Sequence, residues 1–314
     1  NNDTPGTDDG KATRAQAFPD NIVLGAPVVR GQVVGYLGDS GNAEEAGSHL
    51  HFEIRQPPAP GAYTGVAIDP YDSLRAAQSA TAVPARWYLK ATASGGSATT
   101  SFEFGTGSGI RALLCDWDGD GLAEPVHVVG GTWTLRADVS DPTVARTFTF
   151  GTAQDTPLCG DIDGDGLQEP LTFRDGTWTT RHDFEATSTV DWTSSYGLAG
   201  DRPVLGDWNG NGADDLGVVR STTWHLRTAA RGGVTRSRFA WGRSTDVAIA
   251  ADWDGDGVDT PGVFRGGTWY RKRTILGDSD TLPSFIYGKA GDVPLAAEWA
   301  PTPTTNIAVY RPGY

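Results

Sequence analysis

The string Asp-x-Asp-Gly-Asp-Gly occurs three times in this chain and a near copy occurs once. The copies are DWDGDGLAE from Asp116, DIDGDGLQE from Asp161, DWNGNGADD from Asp207 and DWDGDGVDT from Asp252, and their first residues are 45, 46 and 45 apart. A fifth, degraded copy, EWAPTPTTN, begins at Glu298, one more period along the chain. Self-similarity at this period commits the chain to a repeat architecture, because each unit can bury its apolar face only against its neighbours.

The text between the loops identifies the unit. In the second repeat PLCGDID is a short apolar run entering the loop, EPLTFR leaves it, and Gly176 turns into TWTTR. A polar stretch then leads to an aromatic-plus-Gly ending, at Phe150, Tyr196, Trp241 and Tyr287 in successive units. A tryptophan recurs at Trp133, Trp178, Trp224 and Trp269, always at the same offset from the first Asp of its loop. Period-2 apolar spacing with Gly, Asp and Pro punctuation favours strands over helices. Four short strands per repeat predict an all-β chain built of β-propeller blades.

The ends predict the blade number. RWYLK at Trp87 and FEFG at Phe102 precede the first loop and look like third and fourth strands without a first and second. PLAAEW and NIAVYR follow the last full unit and look like a first and second without a third and fourth. The halves complement each other, which predicts five blades with the last one shared between the termini. Such closure removes free sheet edges. An open stack of five repeats is the alternative.

The loop itself suits a hard cation. Carboxylates at positions 1, 3 and 5, a carbonyl at 7 and an acid at 9 supply six or seven oxygens, and Gly at 6 permits the sharp turn; this is calcium chemistry. The expected ligands are Asp116, Asp118, Asp120, the Leu122 carbonyl and Glu124 in the first loop. In the second they are Asp161, Asp163, Asp165, the Leu167 carbonyl and Glu169. The third loop uses Asp207, Asn209, Asn211, the Ala213 carbonyl and Asp215. The fourth offers Asp252, Asp254, Asp256 and the Val258 carbonyl, with Thr260 at position 9 and either Asp259 or water filling in. The fifth keeps only Glu298. Up to four calcium ions are expected. The repeats over residues 86–314 resemble FG-GAP/VCBS repeats, calcium-loop propeller units common in secreted bacterial proteins.

Composition agrees with an extracellular chain. Acids outnumber bases 39 to 25, for a net charge of −14, and four divalent cations would offset more than half of it. An acidic surface argues against nucleic acid, and no apolar run approaches the ~20 residues of a membrane span. The chain opens at Asn1 in mid-loop composition with no Met, which reads as a mature or cleaved product. Cys115 and Cys159 stand in the first strands of adjacent blades, where either a disulfide or two small buried residues would fit.

The segment 1–75 is of another kind. VVRGQVVGYLGDSGNAEEAGSHLHFEIR, closed by Asp69-Pro70, resembles over about residues 25–74 the C-terminal half of the lysostaphin-type zinc endopeptidases, which cut peptidoglycan cross-bridges. The resemblance rests on Gly31, Gln32, Gly35, Gly38, Ser40, Gly41 and the strand HLHFEI. It implies a small partial β-sheet domain in which His51 is a zinc ligand and His49 a catalytic histidine beside the water. Both would face one side of a strand. The family's upstream His-x-x-x-Asp and Tyr-x-His-Leu segments have no counterpart here, since none of the five histidines precedes His49. Zinc is therefore expected only if that missing half is supplied. A cleavage product docked to its other half, a fragment without it, and a degenerate peptidase scaffold all stay open. AAQSATAVPA, residues 76–85, reads as a small-residue linker.

Two functions follow. The chain is expected either to be the binding or targeting part of a secreted peptidoglycan endopeptidase, inactive on its own, or to be a lectin-like or protein-adhesion module on a degenerate scaffold. The partners implied are a bacterial cell-wall glycan, a surface protein, or the chain's own cleaved N-terminal half. The eleven tryptophans mostly fall in register (Trp87 with the set that follows each loop; Trp117, Trp208, Trp253 and Trp299 in another). That register favours blade core over a sugar shelf.

Overall fold

A computed structural model describes residues 54–56, 66–68 and 85–313, apart from 107, 108, 188, 231, 277, 278 and 303. The chain divides into two compact units, Asn1–Thr81 and Ala82–Tyr314. In the first unit two strands are described, β1 (Ile54–Gln56) and β2 (Val66–Ile68), paired antiparallel with Ile54 opposite Ile68.

The second unit is a five-bladed β-propeller, each blade a four-stranded antiparallel sheet. β3 (Arg86–Lys90) and β4 (Thr100–Glu103) come first. The first complete blade follows as β5 (Arg111–Cys115), β6 (Glu124–Val129), β7 (Thr132–Arg136) and β8 (Val144–Thr149). The second is β9 (Thr156–Gly160), β10 (Glu169–Arg174), β11 (Thr177–Arg181) and β12 (Val190–Ser195). The third is β13 (Arg202–Gly206), β14 (Asp215–Arg220), β15 (Thr223–Arg227) and β16 (Thr235–Ala240). The fourth is β17 (Val247–Ala251), β18 (Thr260–Arg265), β19 (Thr268–Lys272) and β20 (Thr281–Ile286). β21 (Val293–Ala297) and β22 (Asn306–Arg311) then pair with β3 and β4, with Tyr310 opposite Trp87, and close the ring as the ends of the sequence predict. Among the described residues there is no helix, and so none long and apolar enough to cross a membrane.

The innermost strands β5, β9, β13, β17 and β21 adjoin one another in a circle. They surround an axial cavity of about 410 Å³. Cys115 at the end of β5 and Cys159 in β9 form a disulfide that ties two of these strands together.

One interaction repeats in every blade and explains the register of the tryptophans. The indole Nε1 of Trp87, Trp133, Trp178, Trp224 and Trp269 donates to the carbonyl of Phe104, Phe150, Tyr196, Trp241 and Tyr287, at 2.8–3.2 Å. All five rings are fully buried. The third strand is thereby pinned to the aromatic-Gly turn that ends the fourth, with the one polar atom of a large apolar side chain satisfied. The apolar clusters extend from blade to blade: Val204, Trp208, Trp224 and Phe239 pack with Val263 and Ile275 of the next. Stability therefore depends on neighbour contacts, as in other repeat folds.

Candidate functional site: the acidic loops

The four Asp-Gly loops join the first strand of a blade to its second, and their first residue organises each turn. Asp116 accepts backbone N–H bonds from Gly119 (2.8 Å) and Gly121 (2.9 Å). Asp161, Asp207 and Asp252 hold the glycines at the corresponding positions in the same way, at 2.7–3.0 Å. The fourth- and sixth-position glycines need left-handed backbone, with φ 80° and 86° at Gly119 and Gly121, which a side chain would strain. Further along, Asp120 and Asp165 accept from the backbone of Leu122 and Leu167.

This wrapping brings carboxylates together. Ligand atoms of Asp116, Asp118 and Glu124 lie within 4.8 Å of one another, and so do those of Asp161, Asp163 and Glu169 and those of Asp252, Asp254 and Asp256. Glu124 and Glu169 are 4% and 3% exposed. Glu169 Oε2 accepts from the Ile162 backbone at 3.0 Å, but Glu169 Oε1 and Glu124 Oε2 are buried without a partner. Burial first, and then the neighbouring aspartates, pushes the Glu124 carboxyl up to about 9 and that of Glu169 up to about 8. Like charges around a buried carboxyl disfavour its ionised form. A cation among these oxygens would supply the missing partner and reverse the electrostatics, so the donor set fits a hard metal ion.

The remaining loops depart from this pattern by degrees. In the third, Asn209 donates to Asp215 at 2.6 Å, so the amide supplies a partner inside the loop. The Asp215 carboxyl rises only to about 6, through burial and then Asp207, with Asn209 pulling it back. In the fourth, Thr260 is turned away, its hydroxyl donating to the Lys272 carbonyl. Asp259 does not fill in as a ligand of its own loop. Its Oδ2 accepts from the Asp207 backbone of the preceding blade at 3.0 Å. In the fifth, Asn306 stands at position 9, fully buried, and its amide organises the turn.

That use of Asp259 belongs to a belt the sequence does not reveal. The eighth residue of each loop reaches back to the first residue of the loop before it. Gln168 accepts from Asp116 N, Asp214 from Asp161 N and Asp259 from Asp207 N, all at 3.0 Å, and Thr305 donates to the Asp252 carbonyl at 2.8 Å. The loops therefore stitch adjacent blades around one mouth of the axis, where a cavity of about 350 Å³ is lined by Asp116, Asp214, Asp252, Asp259 and Glu298. Desolvation and then the charge of Asp259 hold the Asp214 carboxyl well above its ordinary range.

Two other repeated contacts lie elsewhere in the ring. Asp155, Asp201, Asp246 and Asp292 pair with Arg174, Arg220, Arg265 and Arg311 respectively, at 2.6–2.8 Å and at one constant separation along the chain. The cations ending β7, β11, β15 and β19 lie over aromatic rings of the preceding blade: Arg136 over Phe102 (3.9 Å), Arg181 over Phe148 (4.8 Å), Arg227 over Tyr196 (5.2 Å) and Lys272 over Phe239 (5.6 Å). The constant Asp-to-Arg spacing would have exposed the ion pairs. No pattern within one repeat exposes the second set, because each contact joins two repeats.

The expected zinc ligand His51 and catalytic His49 lie outside the described residues, as do Asp69 and Pro70. No family model matches this chain, and no curated relative does either. Among solved structures, it is similar to an Agrocybe aegerita lectin described by its specific recognition of non-reducing terminal N-acetylglucosamine (TM-score 0.36, 14% identity, 63% of this chain and 56% of that one). It is also similar to the Photorhabdus luminescens Tc holotoxin pore (0.35, 15%, 64% and 9%) and to BBS1N in complex with ARL6DN (0.34, 10%, 68% and 68%). The matched part spans about half the length of the lectin and a small fraction of the toxin chain.

Proposed function

We propose that this chain is a calcium-braced propeller that works by binding, as the targeting module of a secreted endopeptidase directed at the bacterial cell wall. One observation carries the calcium reading: two buried carboxylate oxygens, Glu124 Oε2 and Glu169 Oε1, have no partner inside loops whose other oxygens converge on the same place. Leaving such atoms unmade is costly, and a divalent cation satisfies them. Calcium, which takes six to eight oxygens with loose geometry, suits this donor set better than magnesium, which demands a near-ideal octahedron. The ion's role is structural. Asp116, Asp161 and Asp207 hold their turn glycines, and the same residues anchor the blade-to-blade belt, so occupancy of the loops and integrity of the ring go together.

The peptidase connection is supported by the sequence of residues 25–74, with His51 as zinc ligand and His49 handling the proton of a zinc-bound water in the complete domain. Without the upstream ligands this chain is not expected to hydrolyse peptide on its own. The second reading is an adhesion or lectin-like module on a degenerate scaffold. Incubating the chain with purified peptidoglycan sacculi separates the two. The first reading expects retention in calcium, loss of retention in EDTA, and no cross-bridge cleavage when zinc is added. Failure to bind sacculi in calcium would sink it, and binding to other glycans or proteins instead would favour the second.

A further inference from the structure

The fourth blade also departs from its sisters in its third strand, and the departure opens onto a cleft. At the position held by Leu89, Leu135, Thr180 and Leu226 in the other blades, all fully buried, the fourth carries Arg271. The bulge between third and fourth strands falls after Leu135, Thr180 and Leu226 in the first three blades, but between Trp269 and Arg271 in the fourth. The outer strand β20 also holds a proline, Pro283, whose carbonyl accepts from Arg271 Nη2 at 2.9 Å. A moved bulge re-aims a side chain. Here it belongs to a guanidinium that costs stability where leucine would be neutral or better.

Arg271 is 8% exposed and its Nε is buried without a partner. Among the described residues no carboxylate bonds it. Burial and then the like charge of Arg273 lower its pKa, and the Phe285 and Trp253 rings lie 4.8 and 5.8 Å from its guanidinium carbon. The residue lines a cleft of about 590 Å³ between the end of the third blade and the fourth. That volume is within the range of small-ligand sites. The cleft is lined by the half-buried Trp241 and Tyr270, the latter with the Arg265 guanidinium 4.7 Å from its ring centre, by Arg243 at its mouth, and by the exposed Thr281 and Ser284. At the position of Tyr270 the other blades carry Tyr88, Thr134, Thr179 and His225, so only Arg271 is peculiar to this blade. A buried unmatched cation, aromatic walls and rim hydroxyls together fit one chemistry.

We propose that this cleft binds a pyranose carrying a carboxylate, the sugar ring against Trp241 and Tyr270 and the carboxylate on Arg271. The inference rests on the binding-module reading and names its ligand class and its site. A planar guanidinium matches a carboxylate in geometry and charge, and the half-buried Trp241, with the Lys272 ammonium 5.9 Å from its ring centre, lines the cleft and supplies aromatic surface for a sugar. Muramic acid residues of peptidoglycan and uronic acids of other polysaccharides share this chemistry.

The test titrates the full chain in calcium with N-acetylmuramic acid, glucuronic acid and the neutral N-acetylglucosamine, following tryptophan fluorescence and the indole N–H signal of Trp241. One or both acids should bind about tenfold to a hundredfold more tightly than the neutral sugar, the range of one hydrogen bond to a charged group. The acid that binds identifies the source. Arg271→Leu restores the residue of three sister blades, so it should abolish the preference with an unchanged or raised melting temperature; a guanidinium that serves only the fold would instead leave a less stable protein. Tyr270→Thr should weaken all three sugars. The proposal is overturned if neutral and acidic sugars bind alike, or if the preference survives Arg271→Leu. Retention on sacculi that is indifferent to Arg271→Leu overturns this site and leaves the targeting role standing. Acid binding through Arg271 without retention on sacculi does the reverse.

Discussion

The loops at Asp161 and at Glu298 occupy the same place in their blades and solve the same problem in different ways. In the first, position 9 is Glu169, buried, with one oxygen on the Ile162 backbone and the other without a partner. In the second, position 9 is Asn306, also buried. Its oxygen accepts from the Trp299 and Ala300 backbones at 3.1 and 2.7 Å, while its nitrogen donates to Thr302 and to the Ala91 carbonyl at 3.0 Å. The amide donates where a cation would draw in oxygens. One loop is satisfied as a polypeptide, and the other keeps a buried carboxylate oxygen that the proposed cation would satisfy. The degraded copy is thus an internal control for the proposal: at position 9 an asparagine bonds within the chain where the proposed ion would otherwise be needed.

The comparison is sharpened most by exchanging the chemistry. Asn306→Asp keeps the shape but removes the donors to Ala91 and Thr302 and buries a charge among carbonyls. It should destabilise the propeller by about 3 kcal/mol in chemical denaturation, calcium or not. Glu169→Gln should have the opposite sign without metal, raising stability in EDTA at pH 8 by about 2 kcal/mol because the strained carboxyl is gone, while removing one calcium from the stoichiometry seen by equilibrium dialysis. If Glu169→Gln weakens the protein in EDTA, the carboxyl is not the unsatisfied group described here. Gln168→Ala cuts the belt at one point without touching a loop ligand, leaving the Asp116 N–H unpaired. A loss of about 1 kcal/mol is expected, with calcium binding retained. A larger loss, with calcium binding gone, would mean that belt and loop are one unit.

Much of this was legible because a repeat reports on itself. The regular period, the tryptophan at a fixed place in each unit and the complementary ends together specify five blades and their closure, all features local to one unit or its edges. The acids at positions 1, 3 and 9 could be placed for the same reason. What lay hidden joins residues across units. Asp259 looks like a spare ligand for its own loop and instead serves the loop of the preceding blade. Arg136 and Arg181 end their strands 4% and 3% exposed, against aromatic rings of the preceding blade. Arg271 reads as one more arginine until the buried sister leucines are set beside it. Position within a unit is written in periodicity; partners in the next blade are written in the ring's geometry.

The central claim, that buried loop carboxyls await a cation, has a pH signature. Folding raises Glu124 and Glu169 from 4.5 to about 9 and about 8. The metal-free folded state then holds protons the unfolded chain has released, and stability falls as pH rises from about 4.5 towards 9. In the proposed account calcium would replace those protons, and each occupied site would add about 2.7 kcal/mol at a hundredfold excess over its dissociation constant. The direct measurement is the melting temperature at pH 5 and pH 9, in EDTA and in millimolar calcium. The account predicts a lower value at pH 9 than at pH 5 in EDTA, and a calcium increment that is largest at pH 9. Identical melting in EDTA and calcium at pH 9 would contradict it.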